Sequence, residues 1–138
     1  MRFKTIILSM LLATPAFAGP LSVSDAWFRA LPANLPAGGY FVLHNNADSN
    51  ATLTGASSPA CGMLMLHKSE TSGGMGMMDM VMSVSVPAHG VVKFAPGGYH
   101  LMCDAPSMKP GGSVPVTLEF ADGTRLDVEF AVKNAKGQ

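Results

Sequence analysis

No stretch of this sequence holds the period of an amphipathic helix, and no apolar run reaches the length of a membrane span. A helical bundle and a helical membrane protein are thereby set aside. Charge is scarce as well: Asp, Glu, Lys and Arg make up 13% of the chain, 9 basic against 9 acidic. So few Lys and Arg leave no electrostatic footprint for nucleic acid or an anionic membrane. The acids Asp25, Asp104, Asp122, Asp127 and Glu129 are scattered among turns and alternating segments, which gives no paired general acid and base. No Gly-x-Ser-x-Gly elbow occurs either, so an enzyme is not expected. Cysteine is limited to Cys61 and Cys103.

The chain opens with Met1-Arg2-Phe3-Lys4, a short positive region, and continues with an apolar run from Thr5 to Thr14. Ala16-Phe17-Ala18 then supplies the small-x-small pattern of a signal-peptidase site. Residues 1–18 therefore read as a cleaved secretory leader, and 19–138 as the mature chain of an exported protein. No cysteine follows the cleavage site, so a lipid anchor is not expected. Without Arg2 and Lys4 the mature part keeps 7 basic against 9 acidic residues, a net charge of −2. A chain of this length makes one domain with a single core.

That mature part reads as short strands punctuated by Gly, Pro, Asn and Asp. Leu21 to Arg29 begins by alternation and stops before the two prolines of Leu31-Pro32-Ala33-Asn34-Leu35-Pro36. Gly39 to His44, Ala51 to Ala56, Met63 to Lys68, Met80 to Val86 and Val91 to Phe94 follow. Val114 to Phe120 and Leu126 to Val132 flank Asp122-Gly123, a hairpin signal. The expected fold is all-β, a Greek-key β-barrel or sandwich of about eight or nine strands.

What the sequence has in excess is methionine. Of 11 methionines, seven fall between Met63 and Met82 and an eighth is Met102. Thioether sulfur is uncharged and polarisable, and soft sulfur ligands select Cu(I), while imidazole suits copper in general. Methionine also fills irregular cores, but Met75 to Met80 are interleaved with Gly and Asp, which predicts a loop rather than a packed interior. His100 and Met102 stand at i and i+2, so on a strand they share one face. Met63, Met65 and His67 share a parity in the same way. His44 precedes Asn45-Asn46 and His89 lies in Pro87-Ala88-His89-Gly90, both read as surface histidines rather than ligands.

In an exported protein two cysteines pair by default. Cys103 follows Met102 and so points away from the face that carries His100 and Met102, which favours a Cys61–Cys103 disulfide over a thiolate at a metal. Closing a loop of that length is worth about 4 kcal/mol in the chain-entropy model.

The spacing His67, ten residues, Met78, twenty-one residues, His100, one residue, Met102 resembles the His-x10-Met-x21-His-x-Met motif of the periplasmic copper chaperones of the PCu(A)C family. Asp25-Ala26-Trp27-Phe28-Arg29, the Tyr40 to Asn45 segment, Ser57-Ser58-Pro59-Ala60, Val86-Pro87-Ala88 and Pro96-Gly97-Gly98-Tyr99-His100 are similar to that family too, so the likeness spans the mature chain. The resemblance implies a cupredoxin-like β-barrel, a monomer, that binds one Cu(I) through His67, Met78, His100 and Met102. It further implies delivery to a copper-receiving oxidase subunit, notably the CuA centre of cytochrome c oxidase, or exchange with another copper chaperone. One departure stands out: the family's Gly-Val-Met-x-Met is here Gly74-Met75-Gly76-Met77-Met78, which leaves Met75, Met77 and Met80 open as alternatives to Met78. Two other readings remain at this level. An electron-transfer cupredoxin would use Cys103 as the thiolate of a blue-copper site. A secreted β-sandwich interaction module would use its methionines for packing alone.

Overall fold

The structure is a computed structural model, and it describes residues 16–72 and 75–138. The leader expected over residues 1–18 lies outside the described residues up to position 15. Its last three residues form β1 (Ala16–Ala18), which pairs with the start of β2 (Leu21–Arg29). The remaining strands are β3 (Ala37–Asn45), β4 (Ala51–Ser57), β5 (Met63–Ser72), β6 (Met75–Met80), β7 (Val84–Val86), β8 (Val91–Phe94), β9 (Tyr99–Asp104), β10 (Ser113–Phe120) and β11 (Arg125–Lys133). A single 3-10 turn, Pro32–Asn34, carries the chain across the proline-rich connection after β2.

The strands run in the order β6-β5-β9-β3-β2-β11-β10-β4-β7, with β1 added to β2 and β8 to β3. All pairings are antiparallel except β11 on β2. Strand β9 lies between β3 and β5, and β11 beside β2, so neighbours in space are distant in sequence, as in a Greek key. The sheet folds on itself because its long strands change partners along their length. The first half of β3 pairs with β9 and the second half with β8. In β2 a bulge between Ser24 and Trp27, with Asp25 at φ 54°, separates the part beside β1 from the part beside β11.

The core follows from alternation. Phe41 and Leu43 of β3, Val116 and Leu118 of β10, and Leu126 and Phe130 of β11 are all buried. Phe130 packs on Phe28 and Phe41 at ring separations of 5.0 and 5.7 Å, and Phe41 stacks on Phe94 at 4.2 Å. At Gly39 a Cβ would stand 2.6 Å from the Phe28 ring and 3.2 Å from Leu101 Cβ, so glycine is what lets β3 close against β9 under that ring. Asn45 is a buried polar residue with its bonds made. Its Nδ2 donates to the carbonyls of Ser49, Val86 and Pro87, and its Oδ1 accepts the Ala47 N–H. This ties the end of β3 to the end of β7.

Three sequence expectations change. The described residues hold eleven strands rather than eight or nine. The segment expected to be a methionine loop is strand β6, because its backbone groups pair with β5 from Ser72↔Met75 to His67↔Met80. The strand expected from Met80 to Val86 is two: β6 ends at Met80, the chain bends at Met82, and β7 begins at Val84 on the far edge beside β4. Cys61 and Cys103 are disulfide-bonded, as expected, with Cα atoms 5.3 Å apart.

Candidate metal centre

Strands β5 and β9 run antiparallel with the register Met63↔Asp104, Met65↔Met102 and His67↔His100. Directly opposed residues project to the same side, and residues two apart repeat it. One face of this ladder therefore carries Met63, Met65 and His67 beside Asp104, Met102 and His100. The other carries Leu64 and Leu66 beside Cys103 and Leu101, and Leu66, Leu101 and Cys103 are buried in the core. The interleaving of soft donors with core residues, already visible in Met63-Leu64-Met65-Leu66-His67 and His100-Leu101-Met102-Cys103, sorts the donors onto one side. The disulfide sulfur of Cys103 lies on the other side.

The two histidines meet with ring centroids 5.7 Å apart and planes at 74°. His100 is only 4% exposed, and its Nδ1–H donates to the Gly98 carbonyl at 3.1 Å, a bond that leaves the lone pair on Nε2. The same carbonyl accepts the Ser69 N–H, so the turn entering β9, with Gly97 at φ 86°, fixes both the ring and the neighbouring strand. His100 Nε2 and His67 Nδ1 are buried and lack a hydrogen-bond partner among the described residues. Buried polar atoms are ordinarily satisfied, so two orphaned imidazole nitrogens on one rung mark a place where a cation fits. Burial, and next the charge of a protonated His100, push the His67 imidazole below its ordinary pKa, with Asp104 pulling weakly the other way. His67 therefore stays neutral, and available as a donor, at lower pH than a free histidine.

Strand β6 adds a third column. Its register sets Met80 opposite His67 and Met78 opposite Ser69, both on the donor face, while Met77 opposite Glu70 falls on the reverse. Met75 pairs with Ser72, farther along the hairpin. Of the expected ligands, His67, His100 and Met102 are thus brought together on paired strands, and Met78 sits two residue pairs beyond the histidine rung. Met80 holds the position directly across from His67. Met65, whose parity with His67 is visible in the sequence, pairs with Met102, a partner that spacing along the chain does not reveal. Met78 and Met80 are 57% and 65% exposed.

Among the described residues no three His, Cys, Asp or Glu side chains cluster as a metal site. Both cysteine sulfurs lie in the disulfide, which removes the thiolate that a blue-copper centre needs. The other two histidines are engaged elsewhere: His44 with the Ser24 hydroxyl at 3.1 Å, and His89 with Asp48 at 2.6 Å.

The family model named LpqE-like, described as a lipoprotein family, matches residues 21–132. A protein of Leifsonia xyli subsp. xyli (strain CTCB07), named as lipoprotein Lxx21020, is 33% identical over 124 residues, covering 87% of this chain and 74% of its own length. Among solved structures, the copper-bound PCuAC domain from PmoF2 is 25% identical with a TM-score of 0.72, covering 86% of this chain and 97% of that one. Apo-DR1885 from Deinococcus radiodurans is 30% identical with a TM-score of 0.64, covering 97% and 92%. The CuI form of DR1885 is 33% identical with a TM-score of 0.64, covering 78% and 74%.

Proposed function

This chain belongs to the LpqE-like family and has the PCuAC fold, and from that premise we propose that it is an exported copper carrier holding one Cu(I) through His67, Met78, His100 and Met102. The observation that carries the reading is the His67–His100 rung with its two unpartnered buried ring nitrogens beside Met102. The copper-bound PCuAC domain from PmoF2 and CuI-DR1885 are similar proteins whose structures contain the metal.

Two imidazoles and two thioethers are neutral donors, so the bound ion keeps its net +1 charge. A soft, uncharged set of this kind favours Cu(I) and disfavours its oxidation to Cu(II). The metal is cargo, and the function is exchange rather than catalysis. Exposed thioethers on β6 lie where a partner's ligands can displace them one at a time, while the buried His100 holds the ion until last. The receiver in this reading is a copper site of a respiratory oxidase, such as CuA of cytochrome c oxidase, or another copper chaperone. The compartment is the periplasm, reached by cleavage after Ala18. Intact-mass measurement of the exported protein should find a chain starting at Gly19, and retention of Met1 counts against the leader.

Competition with a Cu(I) chelator tests the site. One Cu(I) per mature chain is expected, with affinity falling at least about tenfold for His100→Ala and for Met102→Leu. Unchanged affinity in His100→Ala overturns the assignment. On Cu(II) addition the protein should show no intense visible band, since no thiolate is available to produce one.

A further inference from the structure

We infer that Met65 is an additional Cu(I) donor, one that takes over the metal when the thioether from β6 is displaced by a receiving protein. This rests on the His/Met reading given above and deepens it.

The ladder between β5 and β9 presents two consecutive rungs on the donor face, Met65↔Met102 and His67↔His100. Directly opposed Cβ atoms stand about 4.5–5.5 Å apart, and residues two apart on one strand about 6.6 Å. The four side chains are therefore corners of one small quadrilateral holding two imidazoles and two thioethers, a complete soft donor set within a single pair of strands. Methionine has three rotatable bonds between Cα and its terminal methyl group, so both sulfurs can swing toward the centre of that figure. The orphaned nitrogens of His67 and His100 belong to the same rung.

The third column has a different position. Met78 is one strand over from His67 and two residue pairs farther along, opposite Ser69, and two strands over from His100. Met78 and Met80 are mostly exposed, whereas Met65 and Met102 are half-buried. A partner approaching the donor face meets the β6 thioethers first. As its ligand arrives, the bond from copper to the β6 sulfur breaks and one to the Met65 sulfur forms. Copper stays monovalent throughout, no electron moves, and no proton is released because a thioether carries none. The carboxylate of Asp104, on the next rung opposite Met63, is a hard donor and has no part in this exchange.

The experiment is X-ray absorption together with chelator competition on the Cu(I)-loaded mature chain in four forms: unmodified, Met65→Leu, the double variant Met78→Leu/Met80→Leu, and the triple variant combining them. Leucine is close to methionine in volume, so these forms should fold, as circular dichroism would verify. The double variant should keep two sulfurs on copper. The triple variant should keep one and bind at least about tenfold more weakly than the double, a loss on the scale seen when a metal site loses a supporting group. Met65→Leu alone should keep two sulfurs, supplied by Met102 and β6. A double variant that falls to one sulfur, or a triple variant indistinguishable from the double, overturns the inference. Loss of all binding is separated from these outcomes by His100→Ala, whose failure to weaken binding refutes the site itself rather than the part played by Met65.

Discussion

His67 has its protonation equilibrium set by its surroundings. Burial and the neighbouring His100 hold its pKa below the ordinary value. The unfolded chain, with a histidine pKa of about 6.5, takes up a proton as the pH drops through that value, while folded His67 does not. In the apo protein this group therefore withholds no stability above that pH and lowers it as the pH falls from there toward the depressed folded value. The fall in Tm between about pH 7 and pH 5 should accordingly be shallower in His67→Leu than in the parent chain. Calorimetry on both settles it, and equal slopes count against a neutral, desolvated imidazole. The identities of the donor residues were legible at this scale from the sequence, through the excess of methionine and the i, i+2 spacings. The orphaned nitrogens were not, because they arise from a rung joining positions 67 and 100.

Among the elements, β5 and β9 matter most, and the Cys61–Cys103 disulfide clips the start of one to the end of the other across a separation of 42 residues. Removing it as Cys61→Ala/Cys103→Ala should cost about 4 kcal/mol and lower Tm by about 10 °C or more. Because Cys103 faces the core and Met102 the donor face, the number of sulfurs on bound Cu(I) should not change, which X-ray absorption on the folded fraction can read. The hairpin of β10 and β11 was readable from Asp122-Gly123: Gly123 has φ 88°, Asp122 Oδ1 accepts the Thr124 N–H, and Arg125 pairs with Glu119. Strand β6 was not readable, since Gly and Asp, both poor strand formers, interrupt its methionines. Its strand form comes from the free edge of β5, whose backbone groups it satisfies.

For the molecule as a whole, a metal bound to the folded state alone raises stability by mass action. Cu(I) at about a thousand times its dissociation constant should add about 4 kcal/mol, so Tm should rise on loading in the parent chain and hardly move in His100→Ala. A thermal scan at several Cu(I) concentrations checks this, and an equal rise in both proteins counts against a site at that rung. The sequence by itself determined the class of fold, through alternation and turn residues, and the chemistry of the donors, through side chains that are soft and uncharged wherever the chain places them. Tertiary structure alone decided which donors meet. Strand register is a long-range property: β9 pairs with β5 from about thirty to forty residues away. That pairing set Met65 beside Met102 and Met80 opposite His67, because backbone hydrogen bonds, rather than spacing along the chain, fix which side chains stand across from one another.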